Sequence, residues 1–225
     1  MNALVTVICA VWSRQKDKEA LLRGHMANLQ QQTVPYEVVY VFDEGDVAPG
    51  WLAGSKVSAS DALTVYQAWN VALSLVRTPF VMNLNIDDRL APNAIELLQN
   101  VLEDDPEVVL AAGDWRICFN AADTDSVRFA YDIEEEPCPP DWPPVPGKRV
   151  RFGSGDGKRA AYGPATLWRM AAHVGMPRYP YRFGDGSLIR VIGDAIWWKL
   201  LENSGRNLVR LPLIIGHYRS DPASQ

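Results

Sequence analysis

The sequence predicts an α/β fold in which a mainly parallel sheet is flanked by helices. In the first half of the chain, short apolar segments rich in β-branched residues alternate with segments whose apolar residues repeat at helical spacing. Acidic residues follow two of the apolar segments directly, where an open sheet presents its ligands. At 225 residues, the chain is long enough to bury a sizeable core within one domain.

The elements of the first half follow a regular order. The patterns predict a strand over residues 4–11, a helix that ends before Pro35, a strand over 36–42, a helix from residue 60 to Val76, a strand from Phe80, a helix after Pro92 and a strand over 108–112. This alternation implies right-handed crossovers between parallel strands, with helices on both faces of the sheet.

The second half begins with an irregular segment over about residues 132–160. Six prolines fall between residues 134 and 146, a composition that disfavours both helix and central strand. The glycine-rich run over residues 153–158 lacks the Walker spacing, so we interpret it as a loop beside the site and not as a phosphate cradle. Regular structure is predicted to resume with helices over residues 164–173 and 194–204 and a strand over 208–215. We expect a single domain over 1–225, with halves at 1–113 and 114–225.

Charge and composition exclude several classes of protein. The net charge of -5 argues against nonspecific nucleic-acid binding. The three cysteines have neither disulfide-framework nor zinc-ligand spacing, and Cys9 lies within an apolar strand, where a reduced, buried thiol is expected. The sequence shows no apolar run of membrane-spanning length and no basic segment before its first apolar stretch. We therefore expect a cytoplasmic protein without a transmembrane segment.

Polar residues cluster at the ends of the first three predicted strands. Trp12 follows the first strand, Asp43 the second, and Asn85, Asp87 and Asp88 the third. Because ligands of open α/β sheets bind beyond the carboxyl ends of the strands, these residues should meet at one site. Paired carboxylates there can hold Mg²⁺ or Mn²⁺, which share their coordination with substrate phosphates. The alternative is that the two acids only form a turn and cap the next helix.

These residues together resemble the GT-A-fold glycosyltransferases of the family 2 type. The resemblance rests on short motifs in the family's order, none of them decisive alone. In the first half these are Ala10-Val11-Trp12-Ser13-Arg14, Val41-Phe42-Asp43-Glu44-Gly45, Ala68-Trp69-Asn70 and Asn85-Ile86-Asp87-Asp88. In the second half they are residues 162–169 and 173–175, Gly193-Asp194-Ala195-Ile196-Trp197-Trp198, residues 211–213 and His217-Tyr218-Arg219.

The resemblance implies a role for each matching residue. Asp43 would contact the base or ribose of a sugar nucleotide, with Trp12 as a stacking surface, and Arg14, Asn70 and Asn85 would belong to the same nucleotide-binding half. Asp87 would bind a Mn²⁺ or Mg²⁺ ion that bridges the diphosphate, with His217 as a further ligand, and Asp194 would be the catalytic base. The implied reaction moves a sugar from a nucleotide-sugar donor, such as a UDP-sugar, to a glycan or other hydroxyl acceptor with inversion.

This sequence departs from the family's pattern at several positions. Asn85 stands where the first Asp of the acidic motif is usual, and Gly193 stands where a Glu commonly precedes the base. These two departures favour a non-catalytic sugar-nucleotide or glycan-binding protein as the alternative. A sugar-nucleotide nucleotidyltransferase is a second alternative, although the residues after the first strand include no glycine-rich loop.

Several candidate residues also have purely structural interpretations. Asp194 would cap a helix, His217 would only be hydrogen-bonded, and Trp12 would pack in the core. For His25 and His173, and for Trp197 and Trp198, we expect packing to be the main role.

Overall fold

A computed structural model describes residues 2–118, 150–151 and 163–219 of the chain. The strands are β1 (Val5–Val11), β2 (Tyr36–Phe42), β3 (Ser55–Ser58), β4 (Phe80–Asn83), β5 (Arg89–Leu90), β6 (Val108–Cys118), β7 (Val150–Arg151), β8 (Thr166–Arg169) and β9 (Asn207–Arg219). The helices are α1 (Lys18–Leu29), α2 (Val65–Leu73), α3 (Ala94–Asp104) and α4 (Gly193–Asn203), with a short 3-10 helix at Met170–His173.

One twisted sheet organises these elements. Its strand order is β3-β2-β1-β4-β8-β6-β9-β5, and β7 pairs with β9. The four neighbouring strands β3, β2, β1 and β4 are parallel to one another, as the alternating pattern of the first half predicts. Strand β8, from the second half of the chain, lies between β4 and β6 and is antiparallel to both. The carboxyl ends of β1, β2 and β4 therefore lie at one edge of the sheet.

Helices cover both faces of the sheet, which confirms the predicted architecture. Alternating strand residues such as Val5 and Val7 pack with α3, while Ile8 on the other face packs with α2 and α4. Helix α1 packs against Cys9, which is buried with a free thiol, as expected. Burial raises the pKa of this thiol well above its usual value, so it behaves as a small apolar side chain.

The helix predicted over residues 164–173 is wrong. Residues Thr166–Arg169 form β8, and only Met170–His173 adopt a short 3-10 helix. A short apolar run does not by itself distinguish a buried strand from a buried helix. Pairing with both β4 and β6 decides between them, because a strand here satisfies backbone groups on two sides.

Element boundaries differ elsewhere from the predicted ones. Helix α2 begins at Val65, five residues later than predicted, because Thr64 is its N-cap and completes a capping box with Gln67. Strands β3 and β5 are absent from the predicted set. The predicted irregular segment over about residues 132–160 lies outside the described residues, except for the two that form β7.

Candidate active site

A cavity of about 260 Å³ opens at the carboxyl ends of β1, β2 and β4. It brings together the predicted residues Trp12, Asp43, Asn85 and Asp87, which come from three separate strand ends. Its lining comprises Ala10, Val11, Trp12, Gln15, Asp43, Leu63, Thr64, Val65, Ala68, Asn85, Ile86, Asp87 and Arg190. Aromatic, carboxylate and amide groups thus converge on one pocket, the arrangement typical of a small-molecule site.

Asp43 is held rigidly at the end of β2. Its Oδ1 accepts a hydrogen bond from the backbone N–H of Ser13 at 2.7 Å, and its Oδ2 accepts one from Leu63 at 3.3 Å. The side chain is almost fully buried at 3% exposure. A carboxylate has about four acceptor positions, so two backbone donors leave capacity for a ligand.

Trp12 and Arg14 follow β1 but have different surroundings. Trp12 lines the cavity with 48% of its surface exposed, so it is not a core residue. Arg14 does not line the cavity; its guanidinium donates to Glu44 Oε1 at 2.6 Å. Ser13 donates to the same carboxylate, and together these hydrogen bonds hold the pKa of Glu44 below its usual value.

The two acids after β4 have separate roles in the turn over residues 85–88. The backbone N–H of Asp88 closes the turn on the carbonyl of Asn85, and Asp88 Oδ1 accepts the backbone N–H of Arg219 in β9. Asp87 instead lines the cavity. Burial raises the pKa of both carboxyls, and the charge of Asp87 adds to the increase at Asp88. The turn interpretation therefore describes Asp88, whereas Asp87 is available to a ligand.

The donor atoms at this turn suit a hard cation. Asn85 Oδ1 is buried and has no hydrogen-bond partner in the part of the chain that the structure describes. Beside it, Asp87 is a carboxylate whose charge is disfavoured by burial, a cost that a divalent cation would offset. Among residues 2–118, 150–151 and 163–219, no three His, Cys, Asp or Glu side chains form a metal-binding group. Asn85 and Asp87 alone would thus supply two protein oxygens, which fits a Mg²⁺ or Mn²⁺ ion that takes its remaining ligands from phosphate and water.

His217 is not among the residues that line the cavity. It is buried in β9 and pairs with Arg89 of β5 in the sheet register. Arg89 donates from Nη1 to the carbonyl oxygens of Ile86 and Asp88 at 2.9 and 2.8 Å, and these hydrogen bonds stabilise the turn.

Asp194 lies in the first turn of α4, where its Oδ1 accepts hydrogen bonds from two donors. These are the backbone N–H of Ala195 at 2.8 Å and the hydroxyl of Tyr66 at 3.2 Å. Burial raises the pKa of Asp194, and both hydrogen bonds oppose that increase. The N-cap position itself belongs to Ile192. Asp194 therefore accepts a hydrogen bond from the first turn of α4 through Oδ1, and its Oδ2 takes part in neither of these two hydrogen bonds.

Asn70 connects the two halves of the molecule instead of lining the cavity. Its Nδ2 donates to the Tyr179 carbonyl at 2.8 Å, and its Oδ1 accepts the Tyr179 N–H at 3.0 Å. Its side chain thus holds the loop before α4 through two hydrogen bonds to the backbone.

The N-terminal end of α2 supplies cavity residues that sequence reasoning missed, among them Thr64. The capping-box pattern from Thr64 to Gln67 is the sequence signal that could have located this helix start.

The remaining histidines and the paired tryptophans have packing roles, as expected. His25 is buried against the Tyr40 hydroxyl at 3.0 Å, and His173 accepts the indole N–H of Trp168 at 3.1 Å. Burial lowers the pKa of both imidazoles, to about 3 and about 4 respectively. Trp197 and Trp198 are buried in the core.

Solved structures similar to this one show its fold to be of the GT-A type found in glycosyltransferases. The crystal structure of S. aureus TarS matches with a TM-score of 0.65 and 12% identity, over 97% of this chain and 37% of that one. TarS 1–349 in complex with UDP matches with a TM-score of 0.64 and 13% identity, over 98% and 61%. The mannosyltransferase PcManGT from Pyrobaculum calidifontis, in complex with GDP-Man and Mn²⁺, matches with a TM-score of 0.57 and 15% identity, over 97% and 57%.

This chain therefore spans less than two thirds of each of these structures. No protein-family model matches the chain, and no curated protein matches it. Within the described ranges, every helix is too short or too polar to cross a membrane.

Proposed function

We propose that this protein is a metal-dependent, inverting glycosyltransferase that moves a sugar from a UDP-sugar to an acceptor hydroxyl. The observation that carries the proposal is the cavity where Trp12, Asp43 and Asp87 meet at the edge of a GT-A-type sheet. A stacking ring, a nucleoside-binding carboxylate and a metal-binding carboxylate are what a sugar nucleotide requires. Two structures of this fold contain UDP or GDP-Man, which supports a nucleotide-sugar ligand.

The nucleotide half would bind the donor through fixed groups. Asp43 is anchored by two backbone N–H groups and would accept hydrogen bonds from the ribose or base. The exposed face of Trp12 would stack on the base. Asp87 and Asn85 would hold a Mn²⁺ or Mg²⁺ ion, which when bound offsets the negative charge that develops on the leaving diphosphate.

The acceptor half would supply the base. Asp194 would take the proton from the acceptor hydroxyl as its oxygen attacks the anomeric carbon and the nucleoside diphosphate leaves. Burial raises the pKa of Asp194, which makes its carboxylate a stronger base than an exposed aspartate. Attack from the face opposite the leaving group inverts the configuration at the anomeric carbon.

Nucleotide binding with and without metal tests this proposal. Thermal-shift and calorimetric titrations with UDP, GDP, CDP and dTDP, each in Mn²⁺ and in EDTA, should show the tightest binding for UDP with Mn²⁺. Asp87→Ala should remove the enhancement by Mn²⁺. Asp61→Ala should retain it, because Asp61 is an exposed carboxylate that does not line the cavity. Equal UDP affinity in Mn²⁺ and EDTA for the unaltered protein would refute the metal site.

Turnover separates the enzyme from the non-catalytic alternative, which the neutral Asn85 favours. Release of UDP from UDP-sugars in the presence of Mn²⁺ and a panel of hydroxyl acceptors would support the transferase. Tight, metal-enhanced UDP binding without any release would support a binding protein.

A further inference from the structure

Helix α2 contacts both halves of the proposed site. Thr64, Val65 and Ala68 at its N-terminal end line the nucleotide cavity. Tyr66, on another face of the same turn, donates its hydroxyl to Asp194 Oδ1 at 3.2 Å across 128 positions of the chain. The donor pocket and the proposed base are therefore connected through one rigid helix.

The Tyr66 ring is tightly enclosed. It is 2% exposed and contacts Trp69 edge-on, with ring centroids 5.6 Å apart. A methyl group at Gly193 would lie 2.7 Å from Tyr66 Cδ2 and 2.5 Å from the carbonyl oxygen of Pro180. Contacts this short do not occur between real side chains, so the ring needs a glycine at 193 to occupy its place. This explains why a glycine directly precedes Asp194.

We propose that Tyr66 is a positioning residue that holds the proposed base, Asp194, in register with the donor pocket. The Tyr66 hydroxyl and the Ala195 N–H both donate to Oδ1 of Asp194. Oδ2 of the same carboxylate is thereby left for the acceptor hydroxyl. This role rests on the proposed function, since it assigns the Tyr66 hydroxyl to the orientation of the base. Tyr66 itself is not among the residues that line the nucleotide cavity.

The same hydrogen bond stabilises the ionised form of Asp194. Burial raises the pKa of Asp194, whereas the donated hydroxyl lowers it. Burial, and then the nearby charge of Asp194, raise the pKa of Tyr179 well above its usual value, so Tyr179 stays uncharged at neutral pH, and its hydroxyl has no hydrogen-bond partner among the described residues. Loss of the Tyr66 hydroxyl alone should therefore raise the pKa of Asp194.

Tyr66→Phe tests the proposal, and Tyr179→Phe is its matched control. Tyr179 belongs to the same aromatic cluster, but its buried hydroxyl has no hydrogen-bond partner among the residues that the structure describes. Both variants lose one buried hydroxyl and keep the ring. Three measurements are needed: UDP affinity in Mn²⁺, the pH profile of kcat for transfer, and the pKa of Asp194 from ¹³C-carboxyl NMR, assigned with Asp194→Asn.

For Tyr66→Phe we expect UDP affinity within about twofold of the unaltered protein and kcat near pH 7 reduced about tenfold. The acid limb of the kcat profile and the NMR pKa of Asp194 should both move to higher pH. Tyr179→Phe should leave the kcat profile and the UDP affinity unchanged.

An unchanged pKa for Asp194 in Tyr66→Phe would overturn the proposal, because the hydrogen bond would then not exist in solution. A raised pKa with unchanged kcat and an unchanged acid limb would also overturn it, since the contact would then be structural only. If the unaltered protein transfers no sugar from UDP-, GDP-, CDP- or dTDP-sugars to any acceptor, the proposed function fails and the positioning role fails with it. The NMR titration still reports in that case whether the contact exists.

Discussion

Replacing Asp43 by alanine should reduce both stability and nucleotide affinity, by amounts that follow from its two hydrogen bonds. Asp43→Ala leaves the N–H groups of Ser13 and Leu63 without their acceptor. A buried donor without a partner costs about 1–3 kcal/mol. Because Asp43 and Leu63 line the cavity, water can enter the space that the shortened side chain leaves, and we take the lower end for each donor, about 2 kcal/mol in total. For a domain of this size the melting temperature should fall by about 4–8 °C.

The effect on nucleotide binding should be of similar size. Loss of the carboxylate removes the acceptor for the ribose or base, and UDP affinity should weaken by about 1–3 kcal/mol, which corresponds to a factor of about 5–150 in Kd. Melting followed by circular dichroism and calorimetric titration of UDP in Mn²⁺ measure the two effects separately.

Asp43→Asn separates loss of binding from loss of fold. The side-chain oxygen of the asparagine can still accept the shorter hydrogen bond from Ser13. Its NH₂ group would face the Leu63 N–H, a donor against a donor, so about 1 kcal/mol of stability is lost. Asp61→Ala serves as the control for charge, because that side chain is exposed. A melting temperature for Asp43→Ala equal to that of Asp61→Ala would refute the anchoring role. An unchanged Kd for UDP would place the nucleoside elsewhere.

Three further predictions concern the base, a turn and a buried histidine. Asp194→Asn should lower single-turnover transfer by a factor of about 10² to 10⁴ while melting temperature and UDP affinity stay near those of the unaltered protein; near-normal transfer would reduce Asp194 to a structural role. Gly54→Ala should destabilise the fold by about 1–3 kcal/mol in chemical denaturation, because φ is +104° and a methyl group would overlap Val38 Cγ1. Gly50→Ala, which has open space around it, is the control, and equal effects would contradict the reasoning. Burial lowers the pKa of His25 to about 3, so the unfolded chain binds more protons between about pH 3 and 6.5 and stability falls as pH falls through that window. His25→Gln should make this dependence shallower by about 1.4 kcal/mol per pH unit between pH 6 and 4, and parallel stability curves would contradict it.

The polar cluster at the sheet edge was accessible to sequence reasoning. Parallel strands present their carboxyl ends at the same edge, so residues directly after β1, β2 and β4 must lie near one another. Trp12, Asp43 and Asp87 meet at one cavity for that reason. The roles assigned to them, and to Asp194 as the base, stay predictions until binding and transfer are measured.

Contacts between distant segments were not accessible to sequence reasoning. Whether residues 166–169 form a strand depends on the gap between β4 and β6, which no local pattern encodes. Asn70 matched a motif of the nucleotide-binding half, yet its amide makes two hydrogen bonds with the backbone of Tyr179. Its partner lies 109 positions away, beyond the reach of any periodicity argument.

The sequence by itself determined the α/β class, the parallel first half and the edge of the sheet where polar groups gather. Hydrophobic periodicity is a local property, and strand direction follows from the alternation of elements. Only the tertiary structure decided that Asp87 faces the cavity while its neighbour Asp88 accepts the Arg219 N–H, and that Tyr66 fills the space left by Gly193. Two adjacent, chemically identical side chains acquire different roles because their surroundings differ, and those surroundings come from strands and helices that the chain brings together on folding.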